Sequence, residues 1–147
     1  GEQGMDYAYA QFFTGCQDTG IMDHYRAHLS DGFPGRTLSA VCVSAAPTRP
    51  EALEQSLMAA NFRVSLGTGR PVTFVTASQM DAETRSLLTS YVLSNEDTIF
   101  VGDYDEVADK LTAFQDAHHV DELMLISYID NVQTKVEQYR QLAKRLI

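Results

Sequence analysis

His24 and His28 lie four residues apart, a spacing that puts two imidazoles on one face of a helix and could offer two nitrogens to zinc. A metalloprotease motif needs a glutamate directly after the first histidine. Tyr25 stands there instead, and no cysteine or third histidine lies near in the sequence. Two ligands do not close a metal site, so the pair reads as exposed helix histidines. His118-His119 falls where a helix ends, a position the helix dipole makes favourable for an imidazolium, and reads as a cap and turn. Cys16 occupies a glycine-flanked loop after the first predicted strand, near where a barrel enzyme would hold its chemistry, but no histidine is fixed beside it in sequence. Cys42 falls mid-strand and reads as a small core residue.

Two glycine-containing stretches could approach an anion. Gly67-Thr68-Gly69 lacks a following Lys-Ser/Thr pair and follows a helix rather than a strand, so it reads as a helix stop. Val101-Gly102-Asp103 lies between a short strand and a helix, where backbone N–H groups could cradle a phosphate. Asp103, Asp105 and Glu106 crowd that helix start and would repel one. Tyr7, Tyr9, Phe12 and Phe13 put aromatic rings on both faces of one strand. The plain reading is core packing. The functional reading gives the Tyr9–Phe13 end to a flat apolar pocket for a ring-shaped ligand, oriented by Gln11, the one polar group there. Asp121-Glu122 precedes the last strand at its amino end, the face that serves stability in a barrel.

The elements that must position these residues follow from pattern. Met5–Phe13 is predicted as a buried strand, 21–29 as a short helix and Thr37–Ser44 as a strand covered on both faces. Residues 51–66 carry Leu53, Leu57, Ala60 and Val64 at helical spacing, with Pro50 at the helix start and Thr48 as a cap nearby. The stretch 72–79 is ambiguous, and 81–93 reads as a further helix. Residues 98–102 (TIFVG) can form only a short buried strand. Asp103 and Glu106 then make a capping box for a helix over 104–117. Residues 122–128 are the most strand-like run in the chain, and 131–146 is a terminal amphipathic helix.

Strand and helix alternate four times, with one extra helix before the third strand. That order predicts an α/β fold with a parallel sheet and right-handed crossovers. Two architectures fit it, a small doubly wound sheet or half of an eight-unit βα barrel, since a whole barrel takes about 250 residues and the chain has 147. The length suits a single domain, and 44% hydrophobic residues argue against disorder. Eleven basic residues against twenty acidic ones give a net charge of −9, which argues against nucleic acid or an anionic membrane as a partner. No apolar run approaches the roughly 20 residues that span a bilayer. No signal peptide is visible at the start. The chain opens on Gly1 rather than methionine, which suggests a processed, cloned or fragment end. Two cysteines in all suit a reducing cytoplasm.

The ordered set of segments resembles the bacterial luciferase-like flavin-dependent monooxygenases. Val101-Gly102, with Val107 and Leu111 behind it, is similar to one family segment near the C-terminus. Val120-Asp121-Glu122-Leu123-Met124 resembles the entry to its last strand, and Tyr139 with Leu142-Ala143 resembles its last helix, although Gln138 stands where the family usually has serine. Gly4–Phe12 is similar to the fifth strand, and Val43-Ser44-Ala45 followed by Glu51-Ala52 resembles the sixth strand and its helix. The resemblance spans essentially the whole chain. It implies the C-terminal half of a TIM-type (β/α)8 barrel, strands five to eight, with a helical insertion before the seventh. It implies FMN, or reduced flavin as co-substrate, and leaves a deazaflavin open. The family's phosphate-holding serine segment precedes its fifth strand, so no residue here inherits that role, and this chain alone is not expected to hold the flavin. The catalytic groups would lie upstream. Gln11, Phe12 and Phe13 match a pocket-lining region and are expected to line the flavin pocket. A half-barrel leaves open sheet edges, which predicts pairing with itself or with the N-terminal half. The alternative is a stand-alone, non-catalytic α/β remnant or interaction protein that has lost flavin binding.

Overall fold

The computed structural model describes residues 1–14 and 20–147. Cys16 and the glycine-flanked loop around it lie outside the described residues. The elements are β1 (Tyr7–Tyr9), α1 (Gln11–Thr14), α2 (Gly20–Ala27), β2 (Thr37–Ala46), α3 (Arg49–Gly67), a single 3-10 turn (Ala77–Gln79), α4 (Ala82–Leu93), β3 (Ile99–Asp103), α5 (Tyr104–His118), β4 (Glu122–Ile126) and α6 (Val132–Leu146). The fold is α/β with an all-parallel sheet.

Local chemistry sets most boundaries. The Thr48 side chain accepts the Glu51 N–H at the start of α3, with Pro50 in its first turn. Asp103 accepts the N–H groups of Asp105 and Glu106, while Glu106 Oε2 accepts the Asp103 N–H at 2.9 Å, completing the capping box. His119 ends α5 in the left-handed conformation, at φ 51°.

The sheet departs from the expected order. β2 is the long central strand, and every other strand pairs with it. Leu38 is partnered by both Ala8 of β1 and Glu122 of β4, and Cys42 by both Ile99 of β3 and Ile126 of β4. A strand residue has one neighbour on each edge, so β4 runs along one edge of β2. β1 and then β3 run end to end along the other. The predicted strand Met5–Phe13 is accordingly cut short: pairing ends at Tyr9↔Ser39, and the chain turns at Ala10 into α1, which frees the edge for β3 from Cys42 onward.

The steps β2→β3 and β3→β4 cross the sheet in opposite directions, so right-handed crossovers put their helices on opposite faces. Ala46, Ile99 and Val101 pack with Leu57 and Ala60 of α3 and Leu88 and Val92 of α4. Val41, Val43, Ala45 and Phe100 pack on the other face with Met22 of α2, Val107, Leu111 and Phe114 of α5, and Leu142 of α6. This is a doubly wound arrangement around the C-terminal half of β2, whereas a segment of barrel wall carries its helices on one face. Toward the N-terminal end, the face that α3 covers higher up is partly bare: Ala8 is exposed, Leu38 is half-buried and Met124 keeps 50% of its surface.

Side chains close what the strands leave open. The free edge of β3 has its Ile99 N–H on the Asn95 carbonyl, its Val101 carbonyl on Lys110 Nζ at 2.9 Å and its Asp103 N–H on Glu106. β4 ends opposite Cys42, and beyond it Gln138 Oε1 accepts the Ala45 N–H at 2.8 Å, continuing the ladder from a helix. Gln138 is fully buried. β3 is thus sealed as a terminal strand, and β4 pairs with β2 instead.

Candidate functional site

In parallel α/β sheets, ligands gather at the carboxyl ends of the strands. Here that end is built by α1 after β1, the start of α3 after β2, the 3-10 turn, and Ser127–Asp130 after β4. Two features meet there.

The first is an aromatic cluster assembled from distant segments. Phe62 of α3 stacks on Tyr128 at 5.1 Å and on Phe74 at 6.0 Å, and Phe74 stacks on Tyr128 at 6.1 Å, with interplanar angles of 12–29°. Phe13 meets Phe62 edge-on at 6.2 Å and Phe12 at 4.5 Å. Phe74 and Phe13 keep 62% and 51% of their surface exposed, so the cluster presents open ring area at the strand ends.

The second is a cleft of about 240 Å³ beside it, walled by Glu54, Gln55 and Met58 of α3, Ser78 of the 3-10 turn, and Tyr128 and Asp130 after β4. Tyr128 belongs to both features. Burial raises its phenol above the usual range, so it stays protonated. Gln55 Oε1 is buried with no partner among the described residues. Glu54 pairs with Arg85 at 2.6 Å, and Asp130 accepts the Asn131 N–H at 2.9 Å.

The sequence-predicted residues are placed as follows. Gln11 is fully buried and does not line this cleft; its Nε2 donates to the Thr98 carbonyl at 3.2 Å, and its Oε1 has no partner among the described residues. Arg63 reinforces the same joint, reaching Thr98 Oγ1 at 3.1 Å, the Thr98 carbonyl at 3.0 Å and the Phe12 carbonyl at 3.1 Å. Gln11 therefore ties the end of β1 to the start of β3. Phe12 and Phe13 join the aromatic cluster.

His24 and His28 stack at 4.3 Å, and His28 Nδ1 donates to the His24 carbonyl at 2.8 Å. No group of three metal-ligating side chains occurs among the described residues. His118 packs on Phe114 at 4.2 Å, and burial lowers its pKa. The helix start after Gly102 has no room for an anion: Asp103 and Glu106 already fill its N–H groups, and a Cβ on Gly102 would meet Glu106 Cβ at 2.8 Å. Burial pushes the Cys42 thiol up to about 11, which removes it as a nucleophile at neutral pH. Gln55, Ser78, Tyr128 and Asp130 escaped the sequence reading. The available signal was the position of Tyr128 and Asp130 at the carboxyl end of the most strand-like run.

Flavin phosphate does not fit the cleft. Its polar wall presents the carboxylates of Glu54 and Asp130, and the Arg85 guanidinium beside it is held by Glu54 and by the Ala77 carbonyl at 2.9 Å. The open rings of Phe13 and Phe74 could meet a flavin ring, but the described residues offer its phosphate no seat.

No family model matches the chain. An N-acetyl-S-alkylcysteine monooxygenase of Bacillus subtilis (strain 168) is 24% identical over 149 residues, covering 98% of this chain and 44% of that protein. The crystal structure of apo-MsnO8 matches with a TM-score of 0.71 and 27% identity, over 97% of this chain and 45% of the other. Long-chain alkane monooxygenase (LadA) matches with a TM-score of 0.52 and 17% identity, over 87% of this chain and 33% of the other, and shares the fold. The chain resembles the luciferase-like flavin monooxygenases and matches their C-terminal portions. It spans less than half the length of these relatives.

Proposed function

We propose that this chain is the C-terminal part of a flavin-dependent monooxygenase of the luciferase-like class, with the main flavin contacts and catalytic groups in an N-terminal half. The observation that carries this reading is the match to apo-MsnO8 along 97% of the chain, together with the similarity to the N-acetyl-S-alkylcysteine monooxygenase along 98%. Bound reduced flavin would supply the oxygen chemistry. This chain's part is to wall the strand ends and present Phe12 and Phe13 as ring-facing apolar surface, with Gln11 positioning them through α1.

In this reading the chain supplies the C-terminal half of a (β/α)8 barrel. The partly bare face of Ala8, Leu38 and Met124 supports it, because that face lies opposite α5 and α6 and would turn inward. The partner of the open edges is then the N-terminal half, and the net charge of −9 disfavours nucleic acid. Among the described residues no helix is long and apolar enough to cross a membrane; the proposed cytoplasmic location rests on the low cysteine count, two in all.

The test is a longer protein that contains this sequence, purified and assayed for flavin binding and for oxygen uptake with reduced FMN. Flavin-dependent uptake supports the proposal. A folded longer protein that neither binds flavin nor takes up oxygen overturns it in favour of a non-catalytic α/β protein, a reading that the sealed β3 edge and the doubly covered sheet favour.

A further inference from the structure

Asp31 is the only aspartate or asparagine in the chain that is followed directly by glycine. The pair forms the tip of the loop from α2 to β2, and both residues are exposed. One bond closes the turn there, the Phe33 N–H on the Ser30 carbonyl at 3.0 Å. Neither the Asp31 carboxylate nor the Gly32 N–H has a partner among the described residues. Gly32 takes a φ of +74°, and a Cβ built on it would meet nothing within 4 Å. Most other aspartates are held in place. Asp6, Asp81, Asp103, Asp121 and Asp130 each accept a backbone N–H, and Asp23, Asp105, Asp109 and Asp116 lie within helices.

An aspartyl residue rearranges when the next backbone nitrogen attacks its side-chain carboxyl carbon. A side chain on the following residue hinders that approach, and glycine has none. The attack also needs the peptide between the two residues to swing until its nitrogen eclipses the aspartate Cβ. At Asp31 this swing breaks only the bond between Phe33 and Ser30 and displaces nothing around Gly32, which can take either hand of backbone conformation. Farther on the loop is tight, because a Cβ on Gly35 would meet Leu29 Cδ2 at 2.5 Å and the Tyr25 hydroxyl at 2.8 Å. The motion is thereby confined to the exposed turn. We propose that Asp31-Gly32 is a site of spontaneous backbone isomerisation in the folded protein, passing through a cyclic imide to isoaspartate. The Gly32 nitrogen bonds to Asp31 Cγ, and the hydroxyl of the protonated carboxyl leaves with the nitrogen's proton as water. A second water opens the ring. Opening at Cγ restores aspartate. Opening at the main-chain carbonyl carries the chain through the side-chain methylene and leaves the α-carboxylate as the branch. Water is the only co-reactant, and the number of carboxylates is unchanged. The turn precedes the amino end of β2, away from the strands' carboxyl ends, so the site does not depend on the monooxygenase reading.

The test stores the folded chain at neutral pH in the warm, beside a synthetic peptide of residues 27–36, with circular dichroism to confirm that the chain stays folded. Trypsin cuts after Arg26 and Arg36 and releases the same segment from the chain. That segment is expected to separate into two species of equal mass. The newer one should resist cleavage before Asp31 by endoproteinase Asp-N and accept a methyl group from an isoaspartyl methyltransferase. Its rate of formation in the folded chain should lie within tenfold of that in the free peptide. Asp31→Glu, which would have to close a larger ring, should abolish the product, and Gly32→Ala should slow it at least fivefold. Conversion more than tenfold slower than in the peptide would show that the turn protects the pair, and it overturns the proposal. So does isoaspartate arising mainly at another position, or an unchanged rate in the folded Gly32→Ala chain. None of these outcomes bears on flavin-dependent oxygen uptake, so the two readings fail separately.

Discussion

Gln11 and Thr98 are 87 residues apart in sequence, and the Gln11 amide donates to the Thr98 carbonyl at 3.2 Å inside the core. This bond joins the strand that leaves the β2 edge to the strand that takes its place. Arg63 crosses the same joint with three hydrogen bonds from a side chain that is 8% exposed.

The two joint residues should differ sharply under substitution. Gln11→Leu removes one donor but also an unpartnered acceptor, and the Thr98 carbonyl keeps Arg63; the expected loss is below about 1 kcal/mol. Arg63→Met strips three bonds from a charged donor and should cost about 3 kcal/mol or more. Urea unfolding of the two variants measures the contrast. Equal losses would mean that the joint depends on Gln11 as much as on Arg63.

Gly102→Ala should destabilise by about 1–3 kcal/mol, the range for overpacking, because the added Cβ meets the Glu106 side chain. Displacing Glu106 would also undo the capping box of α5. The loss should shrink only in part in a Glu106→Ala background, where the carboxylate is gone but the Cβ at position 106, 2.8 Å from the added atom, remains. Thermal unfolding of both single variants and the double variant gives the coupling.

His118 should make the fold sensitive to mild acid. Burial lowers its pKa, the nearby Asp23 opposes that shift and His119 adds to it. An unfolded histidine titrates near about 6.5. The unfolded chain therefore binds the proton first as pH falls, and stability drops on acidification from about pH 7 through this window. Glu96, Asp81, Asp121 and Glu137 have lowered values, so their contribution is full above the ordinary carboxylate range and is lost as pH falls through that range and below it, beneath the histidine window. The melting temperature should fall between pH 7.5 and 5.5, and His118→Gln should flatten that limb.

Cys42 should be silent to thiol reagents in the native state. It is 1% exposed, and its thiol is pushed up to about 11. In a Cys16→Ser chain at pH 8, Ellman's reagent should find no thiol until urea is added. Rapid labelling without denaturant would place Cys42 outside the core.

Much of this architecture was legible because its causes are local. Thr48, Asp103 with Glu106, and the helical spacing of Leu53, Leu57 and Ala60 act within a few residues, and the helix boundaries expected near them fall within two residues of those observed. Strand order was not legible, because it is decided by contacts far apart in sequence. Lys110 seals Val101 from inside a helix, Gln138 substitutes for a strand at Ala45, and α1 cuts β1 short. The candidate site was hidden for the same reason. Phe62, Phe74 and Tyr128 come from three segments, and none of them carries a motif.

The most direct test of the central claim compares two samples under one titration with FMN, followed by flavin fluorescence: this chain by itself, and a longer protein that includes an N-terminal half. The account predicts no micromolar binding by the chain and stoichiometric binding by the longer protein. Tight binding of FMN to the chain by itself would contradict the assignment of the flavin site to the other half, and no binding by the folded longer protein would contradict the flavin-dependent function.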